Sequence, residues 1–256
     1  MLGGLDRLVR VELADGARGP EVDATLWARF ERAWSRCLVA DPGGVDEVVT
    51  TGLTKSSELG SDHDIAVVLT HLTQAVTHAL ITQQVGRLFM VHAGGVSHPV
   101  TGDSLVFVAP GGTGKSTLAK ALGTHYGYLS DETIGMRADG SIVAYPKPLS
   151  LRGDGPVKHE VSPDDLGLQP AHTTPRLRKL VLLRRVHGVE GLDVEHLGTL
   201  DAIEALGPET SSLGHLPGAL HVVADLLAAT GGAERWTYGD HTDLRAVADA
   251  ALGSAR

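Results

Sequence analysis

The sequence predicts an α/β fold built on a mixed sheet, and three observations predict it. Two apolar runs, Leu88–His92 and Ser104–Ala109, flank a stretch rich in Gly, Pro and Ser, Ala93–Asp103. Two buried strands joined by a turn fit this pattern, and a tight turn makes the strands antiparallel neighbours. The second run leads through Pro-Gly-Gly-Thr-Gly directly into an Ala/Leu-rich helical segment. Upstream, Ile65, Val68, Leu72, Val76, Leu80 and Val85 repeat at helical period, which predicts a long helix over Asp62–Gly86.

The chain of 256 residues fits one large domain, or one with a small appendage. Hydrophobic residues make up 42% and charged residues 21%, which excludes a disordered chain. One cysteine, Cys37, excludes a disulfide framework and a cysteine-built metal site. The net charge of −9 argues against a nucleic-acid partner, because such affinity comes from neutralising phosphates. Any polyanion must then be held by a local device. The N-terminal residues carry charges every few positions and lack the apolar core of a targeting signal. The longest apolar run, around Ile65–Leu69, is far short of a membrane span. The expectation is a soluble, cytoplasmic protein with no membrane partner.

The elements follow in order. Arg7–Leu13 reads as a short strand. Thr25–Leu38 carries Trp27, Phe30, Trp34, Cys37 and Leu38 at helical spacing, so an amphipathic helix is expected with Cys37 packed on its apolar stripe. Asp41-Pro-Gly-Gly is a breaker, Val45–Thr50 a strand and Thr50–Gly60 a polar loop. Ser61-Asp-His-Asp makes an N-cap cluster for the long helix. His71 and His78 lie seven residues apart on that helix, two turns instead of the one turn a helical metal pair needs, and read as core-edge or solvated. Further strands are expected at Tyr128–Leu129, Ser141–Tyr145 and Lys179–Leu183, the last followed by a solvated Arg184-Arg185 pair. Helices are expected at Leu216–Ala229 and Asp243–Leu252.

The informative stretch is Ser104-Leu-Val-Phe-Val-Ala-Pro-Gly-Gly-Thr-Gly-Lys-Ser-Thr-Leu-Ala-Lys. It contains Ala109-x-x-x-x-Gly114-Lys115-Ser116, a Walker A pattern with Ala at its first position, set between a strand and a helix as the pattern requires. Gly111, Gly112 and Gly114 let the backbone curl so that successive N–H groups face phosphate oxygens. The helix beginning near Lys115 adds its unpaired N–H groups and the positive end of its dipole. Lys115 is placed to reach the β- and γ-phosphates, and the Ser116 hydroxyl to reach Mg²⁺. Pro110, Gly111, Gly112, Thr113, Gly114, Lys115, Ser116 and Thr117 are thus the candidate nucleotide-binding set, with ATP and Mg²⁺ as expected cofactors. An acidic chain can hold a polyanion this way, through backbone dipoles and one lysine.

The flanks bear on the reaction. Met90-Val-His92-Ala-Gly-Gly-Val96 ends the strand expected to pair with the loop's strand. Gly127-Tyr-Leu-Ser-Asp131-Glu132-Thr places two acids at the end of a short strand, where a carboxylate can hold Mg²⁺ or take a proton from an attacking hydroxyl. This order of motifs resembles the HPr kinase/phosphorylase family, and more closely its compact kinase-like members found with peptide natural-product pathways. The resemblance covers Leu88–Arg152, about a quarter of the chain. It implies a P-loop kinase core of the HPr kinase C-terminal-domain type. It also implies that Asp131 is general base on an acceptor serine and that His92 supports Asp131. Glu132 stands where the family has a second Asp, a candidate with Ser116 and Asp131 for the metal. Tyr145-Pro-Lys-Pro-Leu-Ser-Leu-Arg152 resembles a segment of the compact relatives, and Arg152-Gly-Asp-Gly155 echoes the family's Arg-Gly-x-Gly. Lys147 and Arg152 are therefore candidates to clamp the transferring phosphoryl group.

The expected organisation is an N-terminal helical and strand region, 1–87, packed on a catalytic core, 88–256. The expected activity is ATP-dependent transfer of the γ-phosphate to a hydroxyl, a serine of a peptide or protein, with Asp131, His92 and Lys115 as the catalytic set. Two alternatives stay open: a small-molecule hydroxyl kinase on the same scaffold, and a nucleotide-binding regulatory ATPase without transfer. Homo-oligomerisation is compatible with the resemblance.

Overall fold

A computed structural model describes residues 1–13, 20–40, 47–51, 62–152, 158–240 and 244–253. The breaker at Asp41, most of the loop before Gly60, the cap residue Ser61 and the Gly155 end of the Arg-Gly-x-Gly echo lie outside them. The chain forms two compact units. One is Met1–Gln84 with Pro146–Leu166, and the other is Val85–Tyr145 with Gly167–Arg256. The stretch around Lys147 and Arg152, which the sequence division at 87/88 grouped with the core, thus belongs with the N-terminal residues.

In the first unit, β1 (Leu2–Gly4) and β2 (Arg7–Leu13) form an antiparallel hairpin. Its two turn residues, Leu5 and Asp6, both have positive φ, as a two-residue hairpin turn with matched twist requires. β2 pairs in parallel with β3 (Glu47–Thr51). The expected first helix is α1, Pro20–Ala33. It buries Leu26, Phe30 and Ala33, but it stops earlier than the apolar spacing suggested. Ser35–Cys37 tightens into one 3-10 turn. That turn buries Cys37, leaves Leu38 exposed, and turns Ser35 and Arg36 toward Asp164 at 2.6 and 2.8 Å. α2, Asp62–Gln83, is the long helix, with His71 and His78 on its exposed side. Over Asp64–Gln83 it is long and apolar enough to cross a membrane by length and composition, unlike the shorter run the sequence suggested; 56% of it is buried inside the protein. It packs on β2, on β3 and on the later strand Lys158–Val161.

The second unit carries a ten-stranded mixed sheet. Its spine is β4, Phe89–Ser97, which turns back into β5, Asp103–Val108. β4 runs five residues past the apolar segment read as the strand, because Gly94 and Gly95 are strand residues. A Cβ on Gly94 would stand 2.2 Å from the Phe107 ring. Glycine here marks a close approach of ring to backbone, not a turn. After β5 come α3 (Lys115–Gly123), β6 (Gly127–Ser130), β7 (Thr133–Met136) and β8 (Ile142–Val143). The chain then crosses the first unit as the antiparallel pair β9 (Leu149–Arg152) and β10 (Lys158–Val161), the partner strand of α2.

Back in the second unit, β11 (Gln169–Pro170) pairs with β6, and β12 (Arg176–Arg185) lies parallel to β5. β13 (Leu192–Leu197), α4 (Thr199–Leu206), β14 (Thr210–Ser211), α5 (Ala219–Ala229), β15 (Ala233–Tyr238) and α6 (Leu244–Leu252) complete it. β15 inserts in parallel beside β12, with β13 antiparallel at the edge. Val91, Ala93, Val106, Val108 and Leu129 form one core with Ala202 and Leu206 of α4 and Val223, Leu226 and Leu227 of α5. Strand alternation places His92, Gly94, Phe107 and Tyr128 on the opposite face.

Candidate active site

The loop between β5 and α3 has the backbone its sequence demands. Gly112 and Gly114 hold φ of +83° and +106°, conformations that L side chains rarely adopt. The space where a Cβ would stand on Gly111 or Gly112 is open. Thr113 closes the curl, with its N–H and its hydroxyl both donating to the Pro110 carbonyl, the hydroxyl at 2.9 Å. The first helical bond runs from Leu118 N–H to the Gly114 carbonyl, so the N–H groups of Ser116 and Thr117 have no acceptor one turn back. Lys115 is buried at 6% exposure, and its ammonium donates to the carbonyls of Ala109 and Pro110, the latter at 3.1 Å. A cation, two helical N–H groups and open space above two glycines make an anion seat. Tyr238 of β15 braces it, its hydroxyl donating to the Thr113 carbonyl at 3.2 Å.

The acid pair follows the end of β6, as the sequence predicts. β6 and β7 are one interrupted partner of β4. The register shifts by one residue between Tyr128 and Ser130. It then runs from Ser130 opposite Gly95 to Thr133 opposite His92 and Met136 opposite Phe89. By count, Asp131 falls across from Gly94 and Glu132 across from Ala93. The Glu132 carbonyl accepts Ala93 N–H at 3.1 Å, and the Ser130 hydroxyl accepts the N–H groups of Glu132 and Thr133. The acids therefore lie between the end of β6 and the start of β7, still in register with β4. Asp131 is buried at 4% exposure and accepts a hydrogen bond from the Tyr128 hydroxyl at 3.1 Å. Glu132 is half-buried.

The other edge of β4 completes the picture. Ala93 pairs with Val108, so the phosphate loop leaves the sheet beside His92. β14 then takes over that edge, with Thr210 opposite Val91. The residue before it, Glu209, closes a 3-10 turn at Gly207–Glu209 and meets His92, Nδ1 to Oε2 at 3.1 Å. Residues 92–94 are thus flanked by the phosphate loop's entry, by Glu209 and by Asp131-Glu132. Sequence reasoning missed Glu209, because nothing local ties a glutamate 117 residues away to His92.

Lys147 and Arg152, expected as phosphoryl clamps, are both carried by the first unit. Lys147 is fully buried there and donates from Nζ to the Pro148 carbonyl at 2.9 Å; Arg152 is exposed at the end of β9. Ser116, Asp131 and Glu132, the expected metal set, are all hard oxygen donors. Their chemistry suits Mg²⁺ and not a softer transition metal.

No protein-family model matches the chain, and no curated protein matches it. Among solved structures, it is similar to the HPr(Ser) kinase/phosphatase from Coxiella burnetii, with 12% identity and a TM-score of 0.30. The match covers 64% of this chain and 93% of that one. The likeness is distant.

Proposed function

We propose that the protein is an ATP-dependent phosphotransferase that moves the γ-phosphate to a hydroxyl, a serine of a peptide or protein. The observation that carries this reading is the convergence on β4. A phosphate-binding loop enters beside one edge of residues 92–94, and a buried carboxylate lies beside the other. A protein that only bound nucleotide would need the first edge and not the second.

In this reading the main-chain N–H groups of Gly111–Thr117 and the Lys115 ammonium bind and orient the polyphosphate. Ser116 with Asp131 or Glu132 would hold Mg²⁺, which supplies charge neutralisation to the phosphates. Asp131 takes the proton of the acceptor hydroxyl as its oxygen attacks in line, and the Tyr128 hydroxyl fixes that carboxylate's orientation. His92 sets the charge beside the acids.

Incubation with γ-labelled ATP and candidate peptide, protein and small-molecule acceptors tests the proposal. Label on a serine supports it. Label on a metabolite alone replaces the acceptor class, and ATP consumed with no labelled acceptor replaces the reading with a regulatory ATPase.

A further inference from the structure

We propose that Glu209 is a positioning residue for His92, fixing the imidazole with its proton on Nδ1 and leaving Nε2 as the nitrogen that accepts or releases a proton at the site. This rests on the phosphotransfer reading for its purpose but not for its test.

The geometry is specific. His92 lies where β4 exchanges one edge partner, β5, for another, β14. Glu209 stands at the first position of that new edge, one residue before Thr210, and the Gly207–Glu209 turn aims it back along the strand. Its side chain is only 15% exposed, against 39% for His92, so the carboxylate sits behind the ring and the ring faces outward. The turn is itself braced, with the Thr210 hydroxyl donating to the Gly207 carbonyl at 2.8 Å. A carboxylate has no proton to give at neutral pH, so the bond at 3.1 Å requires Nδ1–H as donor. Which nitrogen of a histidine is available is set by the bond the other nitrogen makes. A free imidazole prefers the opposite tautomer, with the proton on Nε2, so the pairing imposes a choice that the ring would not make alone. A carboxylate behind a histidine performs this task in hydrolase triads, by holding tautomer and orientation.

The test is nitrogen-15 NMR of the histidine side chains at alkaline pH, with His92 assigned by the signal lost in His92→Gln. The expected result is an Nδ1–H ring in the wild type, reversion to Nε2–H in Glu209→Ala, and retention of Nδ1–H in Glu209→Gln, whose amide oxygen still accepts. An Nε2–H wild type, or a tautomer unchanged in Glu209→Ala, overturns the proposal. In the transfer assay Glu209→Ala should lower kcat by about 10- to 100-fold, the usual cost of losing an orienting partner, with KM for ATP unchanged. An unchanged kcat with a reverted tautomer removes the site role. Absence of transfer in the wild type would sink the kinase reading and leave the tautomer result standing.

Discussion

Along the edge of β4 that meets β5, the polar groups are main-chain N–H groups and Lys115, whereas along the edge that meets β6 and β7 they are the carboxylates of Asp131 and Glu132. The first edge is built from contiguous sequence, and its geometry is written in the φ angles of Gly112 and Gly114. The second depends on register. A slip of one residue between β6 and β4 would turn Asp131 to the other face of the sheet. One edge therefore depends on local backbone conformation together with one lysine, and the other on strand register together with its carboxylates.

The largest test of that contrast is a pair of variants. Lys115→Ala removes the lysine of the first edge and should cost transfer about 100- to 1000-fold, with a raised KM for ATP. Asp131→Asn should cost about 100- to 10,000-fold in kcat, with KM for ATP little changed and the circular-dichroism spectrum retained. Equal losses of KM and kcat in both would erase the distinction, and near wild-type transfer in Asp131→Asn would remove the general base.

A second pair separates space from backbone. Gly94→Val drives its side chain into the Phe107 ring and should lower folding stability by about 1–3 kcal/mol in urea titrations. Gly112→Ala meets open space but a φ of +83°, so its cost is the backbone alone, about 1–2 kcal/mol, read as weakened ATP binding. If Gly112→Ala bound ATP normally, the curl would not be what seats phosphate.

Tyr238→Phe should be milder, since one neutral hydrogen bond contributes about 1 kcal/mol, a several-fold rise in KM for ATP without change in kcat. The smallest effect belongs to Cys37, on neither edge. Burial pushes its thiol up to about 12, against smaller opposing influences from Lys147 and Arg36. The neutral thiol is favoured on folding. Its contribution to stability is whole below the unfolded value of 9.0 and falls as pH rises from there toward 12. Native protein at neutral pH should not react with a thiol reagent on the timescale in which denatured protein reacts fully.

The sequence revealed the site unevenly, and the reason is locality. Ala109–Thr117 was legible because phosphate loops are contiguous and glycine positions encode φ. The hairpin of β4 and β5, the long helix and the strand at Lys179–Leu183 were legible from period and apolar runs. The reach of β4 through Gly94 and Gly95 was not, because glycine reads as a turn unless the Phe107 ring above it is known. Leu192–Leu197, Thr199–Leu206 and Ala233–Tyr238 were missed. The strand β13 is mostly exposed and carries Asp193 and Glu195, and β15 alternates across a short span, so neither forms an apolar run. Glu209 was beyond reach, because a two-residue strand leaves no trace in composition. Lys147 was legible as a residue beside Pro148, but its burial in the first unit was not.

β4 is hydrogen-bonded along both edges through most of its length, by β14 and β7 at its start and by β5 and β6 at its end. Amides in such a strand exchange with solvent mainly when a whole cooperative unit opens. His92 and the acids are thus anchored to a segment that should be among the slowest of the chain to exchange deuterium. If the proposed phosphotransfer holds, the movement that admits an acceptor and releases product is made by the loops around this strand, while His92, Asp131 and Glu132 stay in place.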